Sequence, residues 1–557
     1  MMNRRNFIKT AGFSLGSVLL VDGFFANWEK KGDLLKFPDE VSIVLDDRLI
    51  VLPRNGHTWE NQEALVRLTP HRQSIVVEAA APNAALQSIT LKWDTGRVNR
   101  ATRVMNDHWE RTYGDVSWHK PAETERLPWY FMEFDGKTAN GFGVRTGAGA
   151  FCYWQLSEDS LALTLDTRSG GKGVRLKDRL LTAAEIVTIR GDAEESPFHL
   201  QRRFCKKMCD RPRMPKQPVY GINDWYFAYG NNSEALILEH TRLLADAADG
   251  LENRPFSVID AGWFETSPRL PGDRSWGDNM DTPNTHFGDM GRMAEKIRAV
   301  GMRPGIWTRP LCASAKDAPN LLLPAIKGRE DTRQPILDPT IPENLDRIVK
   351  YFERYRQWKY DLVKFDYTTF DIMGRWGFQM SEGMTESGWS MYDDSKTNAE
   401  IIRNLYQTIR KAAGDTCLIG CNTISHLSAG LFELNRIGDD TSGIEWARTR
   451  KMGVNTLAFR AAQHGTFYAA DADCVGLTPQ VPWEKNKKWM QLVAASGTPL
   501  FISAQPEAVG TEQKAFIKTC FQIASTEQPV GEPLDWMATP VPQQWKLDGQ
   551  IRQFNWD

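Results

Sequence analysis

From Pro218 onward the chain alternates short apolar runs with longer amphipathic stretches of helical period. Strand-like runs occupy 219–223, 256–260, 303–307, 362–366, 417–421 and 433–437, and helical patterns cover 233–248, 289–300, 342–359 and 396–413. Parallel neighbours cannot be joined by a tight hairpin, so strand followed by helix, repeated this often, argues for parallel strands with helical crossovers. No G-x-G-x-x-G opens a helix, which removes the main signature of a doubly wound nucleotide-binding sheet. The expectation is an α/β chain with a (β/α)8 TIM barrel over 216–505.

In such a barrel the carboxyl ends of the strands face the ligand. The run Leu362-Val363-Lys364-Phe365-Asp366-Tyr367 ends one strand with a lysine and an acid two apart, on the same face. Alone, such a pair is more often a structural ion pair than a catalytic one. A second acid changes the balance. It lies in Asn435-Arg436-Ile437-Gly438-Asp439-Asp440, at the end of another candidate strand. Two carboxylates on different strands, facing one pocket, are what glycoside hydrolysis requires.

The rest of the chain is organised around this region. Residues 36–212 carry short strand-like runs at 41–45, 74–78, 87–91 and 161–165 with turn residues between many of them, the pattern of an antiparallel β-sandwich. A helical stretch at 198–208 leads into the linker Pro212-Arg213-Met214-Pro215. Residues 506–557 read as one helix, 510–525, and a short C-terminal β region. Residues 1–30 begin Asn3-Arg4-Arg5-Asn6-Phe7-Ile8-Lys9 and continue into a mild apolar run, which resembles a bacterial twin-arginine export signal. The expected location is therefore exported, periplasmic or cell-surface, with the signal retained as an anchor or removed. The run is too short and polar for a confident membrane span.

Composition narrows the function classes. A net charge of −2 gives no reason to expect nucleic acid or an anionic membrane as partner. The eight cysteines include no Cys-x-x-Cys, and neither Cys205/Cys209 nor Cys417/Cys421 has histidines at zinc-site spacing, so no metal is expected and the thiols read as free and buried. The 20 tryptophans suit sugar faces as well as cores, so the motifs around each must decide.

A series of motifs, in the same order, resembles the catalytic barrel of the α-galactosidase clan, glycoside hydrolase families 27 and 36 with their relative family 31. Gly221-Ile222-Asn223-Asp224-Trp225-Tyr226 resembles the clan's Gly-Trp-Asn-Ser-Trp strand, and Asp260-Ala261-Gly262-Trp263 its Asp-Asp-Gly-Trp. Gly301 to Trp307 resembles its Gly-x-x-x-Gly-Ile/Leu-Trp/Tyr, and Lys364-Phe365-Asp366 its nucleophile strand. Arg436 to Thr441 resembles its acid/base strand and loop; Ala470-Asp471-Ala472-Asp473 and Gly497 to Ser503 resemble its Asn-Asp-Pro-Asp and Ala-Pro-Leu-Phe-x-Ser.

The resemblance implies a retaining exo-α-glycosidase of α-galactosidase type, with an oligosaccharide or glycoside as substrate and no cofactor. It gives Asp366 the nucleophile role, with Lys364 beside it keeping the carboxylate ionised. The Arg-x-x-x-Asp register gives Asp440 as acid/base; the loop register of some family-36 members gives Asp439. Trp225, Asp260, Trp263, Trp307, Lys364, Cys421, Asn422 and Arg436 are the implied substrate-binding residues, with Trp263 and Trp307 as pocket walls. For Arg436 the alternatives are the sugar 2-hydroxyl and an ion pair to Asp439 or Asp440. Ala261 replaces one of the clan's two aspartates and Asn422 stands where family 27 has glutamate, so the machinery resembles the clan while the sugar pocket departs from it. Two further readings share these residues: an α-galactosyl transferase of the raffinose-synthase kind, and a carbohydrate-binding barrel without catalysis.

Overall fold

Strand pairing in a computed structural model of the chain, which describes residues 34–94, 103–266, 277, 279–314 and 316–557, yields two antiparallel N-terminal sheets, one parallel sheet and a small C-terminal sheet. The export-signal reading of 1–30 lies outside the described residues.

The N-terminal sheets have six and eight strands. Period-two alternation builds their shared core. Strand Leu86–Asp94 buries Leu86, Ile89, Leu91 and Trp93. Ile89 sits opposite Ile43, and Leu91 opposite Leu163. Strand Ser74–Ala80 of the other sheet adds Ile75 and Val77 to the same cluster.

All strands of the central sheet run parallel. In chain order they are Tyr220–Asn223, Phe256–Ile259, Arg303–Thr308, Leu362–Phe365, Cys417–Gly420 and Leu434–Arg436, then Ala469–Asp471, Cys474–Leu477 and Leu500–Ala504. The last pairs back onto the first, Leu500 opposite Tyr220. Ala469–Asp471 pairs only with the sixth strand and Cys474–Leu477 only with Leu500–Ala504. These two segments are the halves of one seventh strand, interrupted at Asp473, whose φ of 72° is left-handed. The sheet is thus a TIM-like barrel whose seventh strand hands over from one neighbour to the other. The six strands expected from sequence are present with ends shifted by a residue or so. The seventh carries small and acidic residues in its first half, without the β-branched run that marks a strand.

The inward register explains how the barrel holds polar groups. Val258, Leu362, Ile419, Leu434, Ala469 and Phe501 form an apolar plug of their own inside the ring. Two residues further along the same strands, on the same face, stand Asp260, Lys364, Cys421, Arg436, Asp471 and Ser503. The plug excludes water from below, and the polar layer above it faces the carboxyl ends. Outside the ring, the helix Asn398–Ala413 starts at a capping box between Thr397 and Glu400 and buries Ile402, Leu405 and Ile409.

The sandwich is fixed to the barrel by the loop after strand Arg103–Asn106. Thr112 N donates to Ile437 O and Asp439 N to Thr112 O, both at 2.9 Å, which extends the sixth barrel strand by a bridge. Asp107, fully buried, accepts from Arg460 Nε at 2.8 Å and Nη2 at 2.6 Å. Removing one partner of a buried pair leaves the other charge uncompensated, at a cost of about 3–5 kcal/mol. Arg460→Ala is therefore expected to lower the unfolding free energy by that order, and with it the urea midpoint, with helix content intact. A midpoint within error of wild type would show that the interface does not depend on this pair.

Candidate active site

The fourth barrel strand ends at Phe365, and the chain turns at Tyr367, whose φ is 64°. Asp366 sits in this turn. Its backbone N donates to Thr308 O at 2.9 Å, Tyr367 N donates to its Oδ1 at 2.7 Å, and Trp307 Nε1 reaches Oδ2 at 3.3 Å. The carboxylate is thus held between the third and fourth strands and remains partly exposed. Behind it, Arg309 stacks over the Tyr367 ring at 4.2 Å and pairs with Asp371 at 2.6 Å, both ions fully buried.

Lys364 does not act on Asp366 as the sequence suggested. Its ion-pair partner is Asp260, at 2.7 Å. Desolvation opposes the buried ammonium, but the Asp260 charge together with the neighbouring Cys421 and Asp473 overcomes it and holds Lys364 well above its ordinary range. Asp260 also accepts from Asn223 Nδ2 at 2.7 Å and from Ala261 N at 2.8 Å. Asp224 lies underneath, accepting from Asp260 N at 2.7 Å and Asn232 Nδ2 at 2.9 Å. Burial, then the neighbouring Asp260 charge, pushes its carboxyl up to about 7.

The sixth strand supplies Arg436, which is buried and ion-paired to Asp473 at 3.0 Å and Asp440 at 3.1 Å. Of the two neighbouring acids, Asp439 is engaged on both sides, with Arg111 at 2.7 Å and Arg448 at 2.8 Å. Asp440 is more open, its side chain 38% exposed. Burial raises its carboxyl, but Arg436, Arg111 and Lys364 together overcome that and hold it below the ordinary carboxylate range.

The remaining expected residues divide by exposure. Trp225 is half-buried at the mouth, edge-on to Tyr229 at 5.6 Å. Trp307 is buried and touches Asp366 through its indole N–H. Trp263 is wholly enclosed and donates to Trp307 O at 2.8 Å, so it stands behind the pocket wall rather than in it. Cys421 lies under Arg436, with Nη1 at 3.6 Å from Sγ. Asn422 is fully buried, its Oδ1 accepting from Phe370 N at 3.0 Å and its Nδ2 donating to Glu110, so it orients the loop after Asp366.

The residue sequence reading missed is Arg111. It comes from the sandwich loop, reaches Asp439 at 2.7 Å and Asp440 at 3.8 Å, and lies over the Trp376 ring at 5.6 Å. Trp376 packs against Tyr367, ring centroids 5.7 Å apart. No barrel motif points to Arg111, because the contact is made only by folding two domains together.

No protein-family model matches the chain, and no curated protein does. Solved structures do. The α-galactosidase from Thermus thermophilus in complex with p-nitrophenyl α-D-galactopyranoside superposes with a TM-score of 0.57 at 17% identity, covering 92% of this chain and 99% of that one. The family-36 α-galactosidase AgaB from Geobacillus stearothermophilus gives 0.57 at 13% identity, over 88% of this chain and 75% of that one. The α-galactosidase from Lactobacillus brevis gives 0.53 at 14% identity, over 87% and 70%. The chain therefore has the fold of family-36 α-galactosidases over most of its length.

The buried Asp224 makes a pH-dependent prediction. Its folded value near 7 lies above the unfolded ~3.9, so between these the native state binds the extra proton and stability falls as pH rises. Above about pH 7 the contribution is flat. Asp224→Asn removes the ionisation, so the stability of wild type relative to the variant should decline from pH 4 to 7 and then level off. Urea unfolding of both proteins across that range tests it; a constant difference would refute the assignment.

Proposed function

We propose that the chain is a retaining exo-α-glycosidase of α-galactosidase type, with Asp366 as nucleophile and Asp440 as acid/base. The observation that carries this reading is the unequal environment of three carboxylates at the ends of the fourth and sixth strands. Asp366 is partly exposed and the Asp440 side chain is 38% exposed, whereas Asp439 is 15% exposed and closed in by Arg111 at 2.7 Å and Arg448 at 2.8 Å. The ligands of related folds, p-nitrophenyl α-galactoside and stachyose in the Thermus enzyme and raffinose in a Geobacillus one, support an α-galactoside as the substrate class.

In the proposed reaction Asp366 attacks the anomeric carbon and Asp440 gives its proton to the departing glycosidic oxygen, leaving a glycosyl ester on Asp366. Water then attacks the same carbon, Asp440 takes its proton, and the ester bond breaks to restore Asp366. Lys364 and Asp260 are proposed to bind ring hydroxyls, and Arg436 the hydroxyl next to the anomeric carbon. The arginines favour ionised Asp440, which suits the water-activating step. The first step needs its proton, so turnover of substrates with poor leaving groups should favour acidic pH. The twin arginines Arg4-Arg5 support an exported protein, which cell fractionation tests.

A panel of aryl α-glycosides, including 6-deoxy and pentopyranosyl analogues because of Ala261, tests the activity and the sugar. Asp366→Ala should cost roughly a thousandfold or more in kcat. Asp440→Ala should lose most activity on poor leaving groups, keep more on activated aryl glycosides and be accelerated by azide. If Asp439→Ala behaves that way instead, the acid/base lies one residue earlier. Near-wild-type activity of Asp366→Ala would end the assignment.

Arg111 gives a separate test. Removing its cation raises the Asp440 carboxyl, so Arg111→Ala should move the basic limb of the kcat/KM profile to higher pH. An unshifted profile would reduce Arg111 to an interface residue.

A further inference from the structure

The sandwich loop 107–112 delivers to the barrel one carboxylate that the proposed reaction does not use. Glu110 is wholly buried, so it touches no substrate. Burying an acid is costly, and filling space does not require one. Its neighbours explain its place. Glu110 Oε2 accepts from Gly377 N at 2.8 Å and from the Tyr113 hydroxyl at 3.0 Å, and Oε1 accepts from Asn422 Nδ2. Arg111 Nε lies 3.4 Å from Oε1. A backbone N–H, an amide NH2 and a guanidinium can only donate. An acceptor is therefore needed on both sides at once, which an ionised carboxylate supplies.

Two of these donors bracket Asp366. Tyr367, next in the chain, makes the left-handed turn from the strand Leu362–Phe365 into the helix Thr368–Met373. Asn422 holds the start of that helix. Its Oδ1 accepts from Phe370 N at 3.0 Å, and its backbone O from Thr369 N at 3.1 Å and Thr368 Oγ1 at 2.8 Å. Gly377 holds the segment that returns from the helix. Trp376, beside it, stacks on Phe370 with ring centroids 4.5 Å apart and meets Tyr367 edge-on at 5.7 Å. The approach is tight: a Cβ on Gly377 would stand 2.9 Å from Glu110 Cβ.

The Asp366 side chain is held by Tyr367 N at 2.7 Å and Trp307 Nε1 at 3.3 Å, so its direction depends on where Tyr367 sits. We propose that Glu110 is a positioning residue for the nucleophile: its carboxylate ties both ends of the 366–377 excursion to the sandwich loop and so sets the direction of the Asp366 carboxylate. This deepens the glycosidase reading and rests on it.

The test uses the full chain, assayed above about pH 7, where Glu110, pushed up to about 7 by burial, is ionised. Glu110→Gln keeps the size but sets an amide NH2 against a donor on one side. It should lower kcat on p-nitrophenyl α-galactoside roughly ten- to a hundredfold, the scale of a displaced reacting group, with KM changed by less than about twofold. Hydrogen exchange of the 366–377 peptide should quicken. Adding Asn422→Asp exchanges donor and acceptor: the new amide donates to the new carboxylate, and its oxygen still meets Gly377 and Tyr113. The double variant should regain most of kcat and the slow exchange, which two independent structural losses would not do. Wild-type kcat in Glu110→Gln, or a loss that Asn422→Asp leaves unrelieved, overturns the positioning role. So does fast exchange of the 366–377 peptide in the wild-type protein, a result that needs no variant to fold. Cleavage of aryl α-galactosides by the wild type alongside any of these leaves the glycosidase reading standing. A wild type that cleaves none overturns that reading, and exchange alone then decides whether Glu110 holds the segment bearing Asp366.

Discussion

Charge neutralisation above an apolar plug is the constraint on which the site depends. The inward faces of the barrel strands place Lys364, Arg436 and Asp260 out of bulk water, where an isolated ion is prohibitively costly. Each cation is therefore matched: Lys364 to Asp260, Arg436 to Asp473 and Asp440, Arg309 to Asp371. Such pairs add little net stability, because desolvation offsets attraction. What they provide is a fixed array of charges that need not reorganise when a substrate enters. Asp366 stands outside this array, held by a backbone N–H and an indole rather than by a cation.

The sandwich belongs to the same electrostatic unit. Arg111 brings a positive charge from 103–112 to the sixth strand, and Glu110, fully buried beside it, bonds Gly377 N at 2.8 Å and Asn422. Burial pushes Glu110 up to about 7, against the lowering effect of Arg111. One short loop thus touches the loop bearing Asp439 and Asp440 and the loop after Asp366 at once. Loss of the sandwich would cost the barrel two sides of its pocket.

Much of this was legible in the sequence, and the gaps have physical causes. Alternating apolar runs and amphipathic helices gave the barrel, because both periods survive in one dimension. Lys364, Asp366, Arg436 and Asp440 were legible as a set because each lies at or shortly past the carboxyl end of a strand. Their pairing was not: Lys364 reaches Asp260 across the third strand, inside the closed ring, and sequence spacing suggested Asp366 instead. Between Asp439 and Asp440 the sequence favoured the second on register alone, without the arginines from another domain and a later helix, Arg111 and Arg448, that close in on the first. Trp263 read as a pocket wall and Asn422 as a binding residue from their motifs, but the chain past those strand ends folds both fully inward.

The handover at Asp473 bears on the barrel's topology. The sixth and eighth strands share no ladder, so the circle is joined through a clasp: one strand gripping a different neighbour with each half. The Asp473 carboxylate at the clasp gathers Arg436, Tyr226 and Thr441 from three other parts of the ring. The clasp therefore ties circular closure of the scaffold to the seating of the Asp440 loop, so a substitution that loosens it reaches Asp440 before Asp366.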